Sequence, residues 1–134
     1  MFSRVFVAVV VISLAVVQAN LRPRQDAPSF RAQAVLDDKF ITVSSDQYKE
    51  ANKWMILLFY PFDFTFVCPT ELISFSDNTE EFASLDAQVL GISTDSVHTH
   101  LAWSRTKKED GGVGKLNFPL VSDIAKSISN HYGV

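Results

Sequence analysis

Seven apolar residues in succession, Trp54–Tyr60 (WMILLFY), constrain this chain more than any other feature. The run does not alternate, so it does not suit a strand with one wet face. It predicts a strand buried on both faces, at the centre of an α/β sheet with helices on either side. Gln88–Ser93 predicts a second central strand. A chain of 134 residues has room for one such domain.

The rest of the chain fits around these strands. Asn20–Pro28 is polar, holds two prolines, and predicts an extended lead-in. Phe30–Leu36 and Lys39–Val43 predict two short strands about an Asp37-Asp38 turn. Ser45 and Asp46 can cap a short helix through Asn52. Pro61–Val67 predicts a loop and Cys68-Pro69-Thr70-Glu71 a helix start, with Pro69 in the first turn where its missing N–H costs nothing. Asp77 and Glu80 have capping-box spacing, so that helix is expected to break near Ser76 and restart. Thr94-Asp95-Ser96 leads into a helix over Val97–Thr106. Lys107–Lys115, with three glycines, predicts a mobile loop. Phe118–Val121 predicts a strand. Asp123 is expected to cap a last helix through Tyr132, with Gly133 at its C-terminal cap. The order β-β-α-β-α-β-α-β-α is α/β, with a parallel component at the sheet centre.

The first nineteen residues are of another kind. Fifteen are apolar and only Arg4 is charged. Val5–Val17 is apolar except for Ser13, and Val17-Gln18-Ala19 puts small residues at the −3 and −1 positions before Asn20. This is the pattern of a secretory signal peptide, and the run is too short for a membrane span. The expected division is a leader over 1–19 and one domain over 20–134. Secretion or the endoplasmic reticulum lumen follows as the expected location. The whole chain carries a net charge of −3, and without Arg4 the remainder is more acidic still. That argues against a nucleic-acid partner, which calls for a basic face.

There is one cysteine. It excludes an intramolecular disulfide framework, a cysteine zinc cluster and a Cys-x-x-Cys dithiol site. A leftover thiol in a secreted chain needs an explanation. Buried, inert cysteines are common, but Cys68 follows a strand and loop and opens a helix, the usual place for an α/β active site. Free N–H groups and partial positive charge at a helix N-terminus favour the thiolate. Thr65 stands three residues earlier; its hydroxyl can donate to the sulfur or accept from an incoming hydroperoxide. Pro61 restricts the loop and can shield the thiolate from water. Phe59, Phe62, Phe64 and Phe66 are expected to make the site tight and apolar.

The segment Pro61-Phe62-Asp63-Phe64-Thr65-Phe66-Val67-Cys68-Pro69-Thr70-Glu71 closely resembles the P-x-x-x-T-x-x-C motif of peroxiredoxins, in the F-x-F-V-C-P-T-E form of the typical 2-Cys type. The resemblance runs from about Ala27 to Val134. It includes Gly91-Ile92-Ser93-Thr94-Asp95-Ser96, His100-Leu101-Ala102-Trp103, Gly111-Gly112-Val113-Gly114, Phe118-Pro119-Leu120 and Tyr132-Gly133-Val134.

The resemblance implies a thioredoxin-like fold, with a central mixed sheet flanked by helices, and a thiol-dependent peroxidase serving antioxidant defence. Cys68 would be the peroxidatic cysteine, Thr65 would hold the peroxide and Pro61 would shield the pocket. The Cys68 N–H would polarise the peroxide, and Glu71 would orient the family's pocket arginine. No metal or organic cofactor is implied. The implied partners are a hydroperoxide substrate, a thioredoxin-like reductant, and a second copy in a homodimer or larger homo-oligomer. The pocket arginine, the resolving cysteine and the later strands would lie beyond Val134, so the chain is expected to be C-terminally incomplete. Arg105 is not at the arginine's matching position.

A non-enzymatic secreted binding or chaperone-like protein retaining the fold is the competing function, favoured by the absent resolving cysteine. Pro61, Thr65 and Cys68 together favour the enzyme. A dithiol oxidoreductase is excluded by Glu71, which stands where the second cysteine would be. Among weaker candidates, His98 and His100 are two apart and do not share a helix face as a metal pair would. His131 suits the last turn of a helix. Lys107-Lys108, followed by Glu109-Asp110, reads as a solvated loop. Trp103 is expected in the core.

Overall fold

In the computed structural model, which describes residues 21–65 and 69–134 and the backbone of Cys68, Asp37 and Asp38 both adopt left-handed backbone, φ 49° and 60°. That local geometry, tolerated by aspartate, folds β1 (Arg31–Leu36) onto β2 (Lys39–Ser44) as the expected hairpin. Arg31 faces Ser44 and Leu36 faces Lys39. Next come α1 (Ser45–Glu50), β3 (Trp54–Phe59), α2 (Cys68–Asp77), α3 (Thr79–Ser84), β4 (Ala87–Ser93) and α4 (Val97–Arg105). After a 3₁₀ turn at Lys108–Asp110 the chain ends with β5 (Leu120–Ser122) and α5 (Ser127–Tyr132). The proposed leader, 1–19, lies outside the described residues.

The sheet order is β2-β1-β5-β4-β3. β4 pairs in parallel with both β3 and β5, while β1 is antiparallel to β5 and β2. The sheet is therefore mixed. Alternation splits its apolar residues between two cores. Ile56, Leu58, Val89 and Leu120 face one side, with Tyr60, Leu72, Trp103, Val113 and Phe118. Leu57, Phe59, Leu90, Ile92 and Val121 face the other, with Phe30, Val43, Ile128 and Tyr132. Gly91 faces the first of these cores closely: a Cβ there would stand 2.9 Å from the end of the Leu120 side chain, which would have to shift.

The strand that dominates the sequence is not central. Among the described strands β3 lies at an edge, and Ile56–Phe59 are only half-buried. Its apolar run reflects two faces that each meet a core, and a strand with both faces covered reads the same at the edge as at the centre. β4 and β5 are the strands buried on both faces and paired on both sides.

Three local expectations also change. Ser45 and Asp46 do not cap α1; Ser45 Oγ accepts from the Phe30 N–H at 2.9 Å, and Asp46 accepts from Ser29 Oγ at 2.8 Å. Both side chains tie the lead-in to the domain instead. The α2–α3 restart falls at Asn78, not Asp77; buried Ser76, just before it, accepts from the Asn117 N–H at 2.9 Å. The glycine loop is not loosely held. Val113 and Leu116 are buried, Trp103 Nε1 donates to the Gly111 carbonyl, and the Val113 N–H donates to the Trp103 carbonyl. A single apolar residue among three glycines is enough to anchor the segment to α4.

The remaining end signals hold. Ser96 caps α4 by accepting from the Thr99 N–H, and Gly133 closes α5 with φ 74°. Asp123 caps α5 from a distance, its carboxylate accepting from the N–H groups of Ile128 at 3.1 Å and Ser129 at 2.8 Å.

Candidate active site

Cys68 is the first residue of α2, as its neighbours predict. It follows a loop that leaves the C-terminal end of β3, where the Tyr60 N–H still donates to the Ile92 carbonyl of β4. The Cys68 side chain, Phe66 and Val67 lie outside the described residues, so the contact expected between Thr65 and the sulfur does too. Thr65 is half-buried, and its hydroxyl donates to the Phe62 carbonyl at 3.1 Å, closing a turn. Between them Phe64 takes φ 57°. The exposed Pro61 is fastened through its carbonyl, which accepts from Thr94 Oγ1 at 3.2 Å. Glu71 is exposed in the first turn of α2 and, with Thr70, lines a cleft of about 500 Å³ between α2 and β3.

The aromatic residues do not all close in on this site. Phe62 is 57% exposed and Phe64 48%, with Phe64 leaning on Trp103 at 6.1 Å between ring centroids. Phe59 packs in the opposite core, against Tyr132. For Phe59, Phe62 and Phe64 the inward placement expected is not found, because the loop turns a different side chain inward; Phe66 lies outside the described residues.

That side chain is Asp63, 6% exposed. Its Oδ1 accepts from the Tyr60 hydroxyl at 2.8 Å and its Oδ2 meets Nδ1 of His100 at 2.7 Å. Its N–H donates to Asp95 Oδ2 at 2.7 Å. His100 is fully buried, with Nε2 3.3 Å from the Val121 carbonyl. Burial, reinforced by the negative charge of Asp63, pushes the Tyr60 hydroxyl far above the ordinary tyrosine range, so it remains a donor.

Asp63, His100 and Asp95 have no assigned role in the sequence reading. One signal was available: Asp63 is the only charged residue between Trp54 and Val67, and a lone carboxylate in so apolar a stretch calls for a buried partner. The partner itself is 37 residues away. His98 and His100 part company as their spacing implies, His98 packing edge-on against Phe40. Trp103 is in the core. Arg105 pairs with Asp38 on the far, exposed side of α4, and His131 lies in the last turn of α5.

A parallel pair of strands, a loop and a helix that opens on a cysteine, within a mixed sheet flanked by helices, define a thioredoxin-like α/β protein. Reduced 2-Cys peroxiredoxin of Plasmodium vivax superimposes with a TM-score of 0.79 at 44% identity, over 82% of this chain and 57% of that one. The AhpC/TSA family matches residues 23–134, and the chain belongs to that family. Among curated relatives, the chloroplastic 2-Cys peroxiredoxin of Hordeum vulgare is 54% identical over 108 residues, 81% of this chain and 51% of its own length. Peroxiredoxin-2 of Mus musculus is 50% identical over 115 residues, 86% of this chain and 57% of its own. The chain thus spans a little over half the length of these two relatives.

Proposed function

We propose that this chain carries the peroxide-reducing centre of a thiol-dependent peroxidase. The single observation behind the reading is the start of α2 at Cys68, directly after a turn that Thr65 closes. Unpaired N–H groups at that helix start stabilise a thiolate. The thiolate attacks the terminal oxygen of a hydroperoxide, the O–O bond breaks, and the departing oxygen takes a proton to leave as water or an alcohol. Cys68 becomes a sulfenic acid. The helix-start N–H groups serve as preorganised donors where charge develops, while the Thr65 hydroxyl, whose proton goes to the Phe62 carbonyl, is left to accept from the incoming hydroperoxide. Pro61 covers the approach, and Glu71 orients a further charged group at the cleft.

The sulfenic acid is returned to the thiol by a thioredoxin-like dithiol reductant, which is oxidised to its disulfide as water is released. Among the described residues the outer edge of β3 has no paired strand, which supports assembly with a further strand or a second copy, since an open apolar edge favours association. Residues 1–19 direct the chain to the secretory pathway, in keeping with their signal-peptide pattern.

The test is the rate at which the purified protein's thiol is oxidised by hydrogen peroxide, followed by trapping of the sulfenic acid at Cys68 and identification by mass spectrometry. The expected rate exceeds that of free cysteine at the same pH. A rate no faster than free cysteine overturns the reading and favours a binding protein that retains the fold.

A further inference from the structure

The loop before α2 has an inverted burial pattern. Its Pro61, Phe62 and Phe64 are exposed, while its one charged residue, Asp63, is buried. Burying a carboxylate costs several kcal/mol in ordinary proteins unless its oxygens are hydrogen-bonded, and buried charges are retained where they fix an arrangement. Here both oxygens and the backbone N–H are engaged, by Tyr60 at the end of β3, His100 on α4 and Asp95 before α4. Three parts of the sheet-and-helix frame therefore converge on one loop residue.

Asp63 is also well placed to set Thr65. Only Phe64 separates them, and it is held in left-handed backbone. For a bulky residue that conformation costs roughly 1–2 kcal/mol and persists only where the surroundings over-determine it. Thr65 in turn donates to the carbonyl of Phe62, on the other side of Asp63. The turn closes around the Asp63 anchor, so movement of Asp63 carries Thr65 with it.

We propose that His100 is a positioning residue for the peroxide reaction: its Nδ1 holds Asp63, and Asp63 holds the turn that presents Thr65 beside Cys68. This rests on the peroxidase reading above. His100 is itself braced by the Val121 carbonyl at Nε2, which ties the loop to β5. The ring thus joins the core of the sheet to the loop, and its two nitrogens have separable tasks.

The two amide substitutions divide those tasks. An asparagine amide reaches about where Nδ1 stands, and a glutamine amide about where Nε2 stands. His100→Asn keeps a donor for Asp63; His100→Gln keeps a polar group beside the Val121 carbonyl and gives up Asp63. Each purified variant is assayed for Cys68 oxidation by hydrogen peroxide and, separately, for alkylation by iodoacetamide, which needs the thiolate but no bound peroxide. Misplacing a reacting group by about 1 Å costs about a hundred-fold in rate. His100→Gln is therefore expected to lose between about ten- and a hundred-fold in peroxide rate while its alkylation rate stays within about two-fold of wild type. His100→Asn is expected to keep both rates within about three-fold. Loss of both reactions together in His100→Gln, an equal fall in the two variants, or a His100→Gln protein as fast with peroxide as wild type overturns the proposal. A wild-type thiol no faster than free cysteine overturns the peroxidase reading and this inference with it, whereas a fast wild type with an equally fast His100→Gln overturns this inference alone.

Discussion

Tyr60 donates its hydroxyl proton to the carboxylate of Asp63, three residues along the chain, at 2.8 Å and out of contact with solvent. The bond joins the last residue of an apolar run to the first charge after it. It turns the chain from strand into loop, and burial keeps the tyrosine protonated for the purpose.

Removing that donor while keeping the ring isolates its contribution. Tyr60→Phe leaves Asp63 Oδ1 without its hydroxyl partner in a buried site, which costs about 1–3 kcal/mol. A lower urea midpoint with an unchanged slope is the expected result. An unchanged midpoint would mean that water replaces the hydroxyl.

Tyr60 and His100 meet on the two oxygens of one carboxylate, so their substitutions should not be additive. The double variant Tyr60→Phe, His100→Gln is expected to be less destabilised than the sum of the single variants, by roughly 0.5–3 kcal/mol. Once either donor is lost, Asp63 is already loosened and the second loss matters less. Urea unfolding of the four proteins closes the cycle.

Cys68→Ser should abolish the reaction with peroxide, leaving no dimedone adduct after peroxide treatment. Thr65→Val should slow it by about a hundred-fold, because it removes the oxygen that receives the peroxide and the bond to the Phe62 carbonyl that sets the turn. Stopped-flow competition with a reporter peroxidase measures both.

Gly112 should tolerate alanine worse than its neighbour. A Cβ on Gly112 would stand 1.9 Å from the Thr106 carbonyl oxygen, a backbone atom, whereas one on Gly111 meets open space despite its φ of 83°. Gly111→Ala is expected to cost about 1 kcal/mol, and Gly112→Ala more than that. Thermal unfolding of the two variants ranks them; the reverse order would refute the close approach of this loop to the end of α4.

Acid should act on the α5 cap. Burial tends to raise the carboxyl of Asp123, but bonds from the Ser129 N–H and hydroxyl, the Ile128 N–H and the Ser127 hydroxyl prevail and hold it below the ordinary aspartate value of 3.8. A group depressed in the folded state contributes its stability fully above its unfolded pKa and loses it as pH falls through the folded one. Wild type should therefore lose more stability than Asp123→Asn as pH drops below about 4. Denaturant midpoints of the two proteins at several pH values test the difference.

Local signals are strong where neighbours along the chain settle the structure. The Asp37-Asp38 turn, the start of α2 at Cys68, the Ser96 cap and the Gly133 end are all set within four or five residues, by backbone φ preferences and unpaired N–H or C=O groups. The mixed α/β class follows from the order and period of the apolar runs, and the P-x-x-x-T-x-x-C segment marks the candidate thiol. What the sequence did not decide are relations between distant segments. Apolar content on two faces does not say whether β3 lies at the centre or the edge, because that depends on which strand pairs with it. The inward turn of Asp63, with Phe62 and Phe64 left outside, depends on a histidine 37 residues away and on Asp95. The anchoring of the glycine loop depends on where α4 presents Trp103. In each case side chains far apart in the chain compete for the same buried space and hydrogen-bond partners, and only the assembled fold selects which of them meet.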